Sequence, residues 1–264
     1  NKIFGFNCAM ESHLKRIELQ KNLWIYKSSF FSYIVGLKYI NKSKVLEIDA
    51  DSFRKKHNPY PNSIDILYVA TLENYAKTLL IHAQSHNNKD KNIVFFLPID
   101  SKNWHCLPKI EQEFKVIYPY DIGLSFDEYS RQFAKYKKII QESVGNIKKD
   151  RFSYRGVSYF GMVNRSVFLF LTEFVSANIV LINAIHSFFK QNPPSELYIA
   201  RDRRATENSF VQVLGVLGTN THMIMHGVIT SNYDQSQLFT SHYRYVNCVH
   251  IWGEQQLRAI IKKQ

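Results

Sequence analysis

Residues 196–226, ELYIARDRRATENSFVQVLGVLGTNTHMIMH, decide the fold class of this chain. ELYIA (196–200) and THMIMH (221–226) are short, continuous apolar runs, which is the pattern of strands covered on both faces. Between them, ATENSFVQVLGVLG (205–218) has the length and composition of a helix. It ends on Gly218, a residue suited to the left-handed turn that closes many helices. A strand, a helix and a second strand in this order point to a parallel sheet with a crossover helix.

The same alternation continues outward. Strand-like runs occur at KVLEID (44–49), DILYVA (65–70), NIVFFLP (92–98), KVIYPY (115–120) and NCVHIW (247–252). TLENYAKTLLIHAQSH (71–86) carries Leu72, Tyr75, Ala76, Leu79 and Leu80 at helical spacing. SFDEYSRQFAKYKKIIQESV (125–144) opens with Ser125 and Glu128, the pattern of a capping box. These elements predict an α/β fold with a single, mostly parallel sheet of about six or seven strands and helices on both faces. Residues 1–43 read as a helical lead-in and residues 44–264 as the α/β domain, with SVGNIKKDRFSYRG (143–156) a polar loop inside it. SVFLFLTEFVSANIVLINAIHSFF (166–189) is long and apolar enough to mimic a membrane span. Its Glu173, Asn178, Asn183 and His186 would be costly in lipid, so a single buried helix is expected.

Composition narrows the class further. The chain has 264 residues, 45% hydrophobic and 21% charged, which describes a globular protein rather than a disordered one. Its 16 Tyr and 19 Phe predict a core rich in ring packing. The three cysteines (Cys8, Cys106, Cys248) are widely separated and odd in number. That spacing argues against a disulfide framework or a structural zinc site and for a reducing compartment. A net charge of +12 implies acidic partners: phosphorylated substrates, an anionic membrane surface or nucleic acid. KYKK (135–138) falls in a predicted helix and reads as a solvated face. No RNA-binding aromatic motif, zinc-finger spacing or helix-turn-helix is present, so nucleic acid rests on charge alone and is not expected as a partner. The chain begins with Asn1 and has no signal-peptide pattern.

In a doubly wound sheet, ligands bind beyond the carboxyl ends of the strands, so the residues that follow each strand matter most. After ELYIA come Arg201, Asp202, Arg203 and Arg204, with Glu207 further on. Guanidinium forks at a helix N-terminus suit phosphate or carboxylate, although Asp202 paired with a neighbouring arginine in a solvated turn is the plain alternative. After THMIM comes His226-Gly227. An imidazole that titrates near neutrality is a common general base, and Gly227 permits a turn or a close backbone approach. After NCVHI comes Trp252-Gly253-Glu254; Glu254 either reaches ligand or caps the helix that follows. His82 and His86 are one helical turn apart, but HAQSH lacks the glutamate of a metalloprotease motif, and no metal ligand set is expected. Walker, GxGxxG and GxSxG motifs are absent.

A strand ending in His226-Gly227-Val228-Ile229, then a polar segment, then a strand ending in Trp252-Gly253-Glu254 resembles bacterial surface-polysaccharide glycosyltransferases of GT-B architecture. Similar His-Gly motifs occur in the CDP-glycerol glycerophosphotransferase-like families of capsule and teichoic acid synthesis. The resemblance covers roughly residues 196–264. It implies a Rossmann-like N-terminal half that binds the acceptor, with His226 in the cleft as catalytic base and Arg201 to Arg204, Gly227 and Glu254 contacting substrate. It further implies a transferase moving a sugar or polyol phosphate from a nucleotide-activated donor to a surface glycan or lipid-linked hydroxyl. The donor is a substrate, and no cofactor or metal is expected. The donor-binding second domain is expected beyond Gln264, which leaves this half inactive alone. The expected location is cytoplasmic, at the inner face of the membrane. Two other readings stay open: a non-catalytic carbohydrate- or membrane-binding module, and half of a nucleotide-sugar epimerase.

Overall fold

The computed structural model describes residues 63–86, 90–144, 153–154, 157–158, 170–201, 205–225, 245–251 and 253–254. The chain runs from β1 (Ile66–Val69) through α1 (Glu73–Ser85) to β2 (Ile93–Phe96). A 3-10 turn (Ile99–Asn103), α2 (Leu107–Glu113), β3 (Lys115–Ile117) and a second 3-10 turn (Pro119–Ile122) follow. Next come α3 (Phe126–Val144), the two-residue strands β4 (Ser153–Tyr154) and β5 (Val157–Ser158), a π-helical turn (Phe170–Val175) and α4 (Ser176–Phe189). The chain then forms β6 (Glu196–Ile199), α5 (Ala205–Val216), β7 (Asn220–Ile224) and β8 (Cys248–His250).

Six strands form one sheet in the order β3-β2-β1-β6-β7-β8, and every pairing is parallel. This is an α/β, Rossmann-like sheet in which two halves run outward from a central pair, β1 and β6. The expected strand at 44–49 and the expected lead-in at 1–43 lie outside the described residues. Continuous apolar runs become strands because both sheet faces are covered: β1 and β2 are buried at all four positions. Right-handed crossovers proceed one way from β1 to β2 and the other way from β6 to β7, so α1 and α5 must lie on opposite faces. Ring contacts agree. His82 of α1 meets Tyr68 and Tyr198 on one face, while Phe210 of α5 meets Phe96 on the other.

Local chemistry fixes the helix ends. Past α5, the Gly218 N–H donates to Gly215 O and the Thr219 N–H to Leu214 O. These paired bonds require a left-handed residue between them, and Gly218 has φ +93°. At α3, the Glu128 N–H donates to Ser125 Oγ at 3.3 Å, one half of the expected capping box. The Glu128 carboxylate turns forward instead, to Gln132 and Arg131. A glutamate near a guanidinium one turn ahead has a charged partner to choose over a backbone amide.

The chain forms two compact units. The first holds the sheet and includes the described residues up to Gly123 and from Ala184 onward. The second, whose described residues fall in Leu124–Asn183, holds α3, the small hairpin, the π-helical turn and the start of α4. Within the second unit the apolar stretch meets α3 through its polar groups. Glu173 pairs with Lys137 at 2.5 Å, and Asn183 Nδ2 donates to Tyr136 Oη at 2.8 Å. Asn178 Nδ2 bonds the Phe174 carbonyl one turn back at 2.8 Å. The expected single buried helix at 166–189 is therefore amended. Its described part opens as a π-helical turn, and 28% of the apolar window within Leu171–Phe189 is buried. By length and composition alone, that helix could cross a membrane.

Candidate ligand-binding site at the carboxyl edge of the sheet

The register pairs Val69 with Ile199, so the chains leaving β1 and β6 start out side by side at the point where strand order reverses. Each strand is followed by a buried alanine, Ala70 and Ala200, whose small side chains take little room between the two departing loops. Thr71 and Arg201 come next. Glu207, fully buried in the first turn of α5, reaches across from the other half of the sheet. Its Oε1 accepts the Thr71 backbone N–H at 3.1 Å and also the Thr71 hydroxyl. A carboxylate that accepts both a backbone amide and a hydroxyl holds that loop in one conformation.

Arg201 is exposed, and its Nη1 donates to the Tyr75 hydroxyl at 3.1 Å. The Tyr75 side chain is itself buried, so one end of the guanidinium is anchored to α1 while the group stays open to solvent. An anchored, solvent-facing guanidinium is suited to bidentate recognition of phosphate or carboxylate. Nearby, α1 begins at Leu72-Glu73 without a side-chain cap, and helix N-terminal amides favour anions. The Glu73 carboxyl is held below its ordinary range, first by its hydrogen bond to Lys77 and also by the His105 N–H.

The sequence predicted that three strands deliver polar groups to one edge. Strands β6, β7 and β8 are consecutive neighbours and parallel, so their carboxyl ends do share an edge. Arg201 is on that edge. Gly253, at φ +152°, adopts a conformation that side chains disfavour, and exposed Glu254 follows it. The Met225 N–H donates to His250 O at 3.0 Å, which carries the pairing of β7 to its last described residue. Asp202, Arg203, Arg204, His226 and Gly227 lie outside the described residues. Thr71 was not singled out from sequence, and Tyr75 only as a core position of the helix. Their signal is that Thr71 directly follows DILYVA, but it becomes visible only once β1 is known to neighbour β6.

A second cluster occupies the sheet face that α1 packs against. Phe95, Tyr68 and Tyr198 stack across β2, β1 and β6 with centroids 4.9 and 5.1 Å apart, and His222 of β7 stacks on Tyr198 at 4.6 Å. His222 Nδ1 lies 3.2 Å from Nε2 of His250 on β8. His82 is hydrogen-bonded through Nδ1 to the Tyr68 hydroxyl at 3.0 Å, and its ring stacks on His86 at 4.0 Å. Burial, reinforced by neighbouring imidazoles, lowers the pKa of His82 to about 4. Burial also pulls His222 and His250 below the usual histidine range. Burial pushes the Glu196 carboxyl up, but the Tyr198 hydroxyl and the Lys91 ammonium together outweigh it and leave the group below its ordinary value.

The chain matches no family model, no curated protein sequence and no solved structure.

Proposed function

We propose that this chain is the acceptor-side domain of a GT-B type glycosyltransferase that moves a sugar or polyol phosphate from a nucleotide-activated donor to a surface glycan or lipid-linked hydroxyl. One observation carries the reading: parallel β6, β7 and β8 end side by side at the β1–β6 switch point, with Arg201 directly after β6 and Gly253-Glu254 shortly after β8. In this mechanism His226 takes the proton from the acceptor hydroxyl. The freed oxygen attacks the donor carbon or phosphorus, and the bond to the nucleotide phosphate breaks with its electrons leaving on that phosphate. Arg201, anchored by Tyr75, offsets charge on acidic substrate groups, together with Arg203 and Arg204. The charge of +12 suits acidic glycans and an anionic inner membrane surface.

The test is transfer of labelled sugar or glycerol phosphate from a panel of uridine and cytidine diphosphate donors to lipid-linked acceptors, using the protein joined to its donor-binding half. His226→Ala is expected to reduce turnover by about a hundredfold or more with the melting temperature held. Unchanged turnover in that variant overturns the role of His226. Absence of transfer from every donor overturns the enzymatic reading.

A second reading, a carbohydrate- or membrane-binding module without chemistry, draws on the half-open apolar helix within Leu171–Phe189. It predicts flotation with anionic vesicles that survives His226→Ala.

A further inference from the structure

The pairing of β7 with β8 brings His222 beside Cys248 and His250, from which the linear sequence keeps it 26 and 28 residues apart. His222 stands in register with Cys248, and Ile224 with His250, so His222, Cys248 and His250 project from the same face of two neighbouring strands. Their ligand atoms all lie within 4.8 Å of one another, and the two imidazole nitrogens are 3.2 Å apart. In a tetrahedral zinc complex, bond lengths of about 2.0–2.1 Å to nitrogen and about 2.3 Å to sulfur place ligand atoms about 3.3–3.6 Å from one another. The nitrogen pair is close to this separation, and the Cys248 sulfur, within 4.8 Å of both nitrogens, has only to draw closer to complete the set.

We propose that His222, Cys248 and His250 form a binding site for a zinc-class divalent transition metal, with a fourth position open to solvent. The donor set decides the class: two imidazoles and a thiolate suit zinc and its neighbours, and they exclude magnesium and calcium, which require oxygen. The surroundings fit. Cys248 is exposed and both histidines are half-buried, so an ion has access while the ligands keep a packed backing. Tyr198 stacks flat on the His222 ring, interplanar angle 18°, and His82 packs edge-on against His250 at 5.6 Å. Rings held this way lose little rotamer freedom when they bind metal.

Binding rearranges protons in a defined way. Without metal, one of the two facing ring nitrogens carries a proton and bonds to the other. With metal bound through His222 Nδ1 and His250 Nε2, that proton moves to the far nitrogen of its own ring and both imidazoles stay neutral. The Cys248 thiol loses its proton to solvent, so one proton is released per ion. The ion would then clip β8, at the edge of the sheet among the described residues, to β7.

The full chain, stripped with chelator, is titrated with Co2+ while its absorption is followed. The expected result is one equivalent of cobalt giving an intense near-ultraviolet thiolate-to-cobalt band and visible bands of a four-coordinate ion, both removed by added Zn2+. Cys248→Ser should abolish the thiolate band, with unchanged circular dichroism because the residue is exposed. Cys106→Ser should leave the band in place. His222→Gln and His250→Gln should each weaken binding at least tenfold, and Zn2+ should raise the melting temperature of the parent protein only. The proposal is overturned if no thiolate band forms, if the band survives Cys248→Ser, or if Zn2+ stabilises the Cys248→Ser protein as much as the parent.

Discussion

Truncating Glu207 to alanine removes the acceptor of both the Thr71 amide and the Thr71 hydroxyl, at a position that is fully buried. Leaving such donors without their partner costs about 1–3 kcal/mol, and Glu207→Ala should lose that much stability in urea titration at unchanged slope. His82 gives stability a pH dependence in the acid range. Its folded pKa of about 4 lies below the usual histidine value, so between about 6.5 and 4 the unfolded chain takes up a proton that the folded chain does not. Stability is therefore complete above pH 6.5 and declines as pH falls toward 4. The groups facing His82 are Tyr68, His86, Tyr198, His222, His250 and Glu196, and of these His222 and His250, also lowered by burial, add to the decline. Melting temperatures of chelator-treated protein across this range should show the decline, and His82→Gln should flatten it. Arg201 was legible in the sequence because it directly follows an apolar run. Its anchor Tyr75 was legible only as a core position, because a hydroxyl that meets a residue 126 positions away leaves no local trace.

Helices and strands were the most readable features, and the reason shows in their ends. DILYVA, NIVFFLP and ELYIA are uninterrupted because each strand is covered above and below, and Gly218 marks the end of α5 because the paired bonds to Gly215 and Leu214 need its left-handed backbone. Gly218→Ala should cost about 1 kcal/mol, since a side chain at φ +93° is strained even though nothing crowds the position. Thermal melts of the two proteins measure it. The capping box at Ser125 was half right. Spacing identifies an available pair but does not reveal that Arg131 and Gln132 compete for the same carboxylate. The apolar stretch ending at Phe189 has the hydropathy of a buried helix, and hydropathy is blind to the π-helical turn from which it starts.

At the scale of the molecule, the alternation of elements conveyed a parallel sheet but not its strand order, because parallel neighbours are joined by crossovers whose direction no local pattern encodes. Two consequences escaped the sequence for that reason. Thr71 and Tyr75 meet the β6 edge only because β1 is central. Cys248 looked isolated when the cysteines were counted along the chain, yet β7 and β8 are adjacent and bring His222 beside it and His250. The proposed division of labour between two halves makes a direct prediction for this chain. Calorimetry should detect no micromolar binding of uridine or cytidine nucleotides, since their site is expected in the donor half. Saturable micromolar binding would move the donor site onto the β1–β6 switch point.

That central pairing also governs how the protein acquires its structure. Asp65 and Asn92, at the start of β1 and β2, are 27 residues apart, whereas Ser195 bonds to Asp65 across 130. Loop closure grows costlier with length, so each βαβ half can assemble before the two are joined, and the union of β1 with β6 becomes the late event. Glu207 bridges that union from the first turn of α5 to the loop after β1. In stopped-flow kinetics, Glu207→Ala should therefore accelerate unfolding and leave the refolding arm nearly untouched.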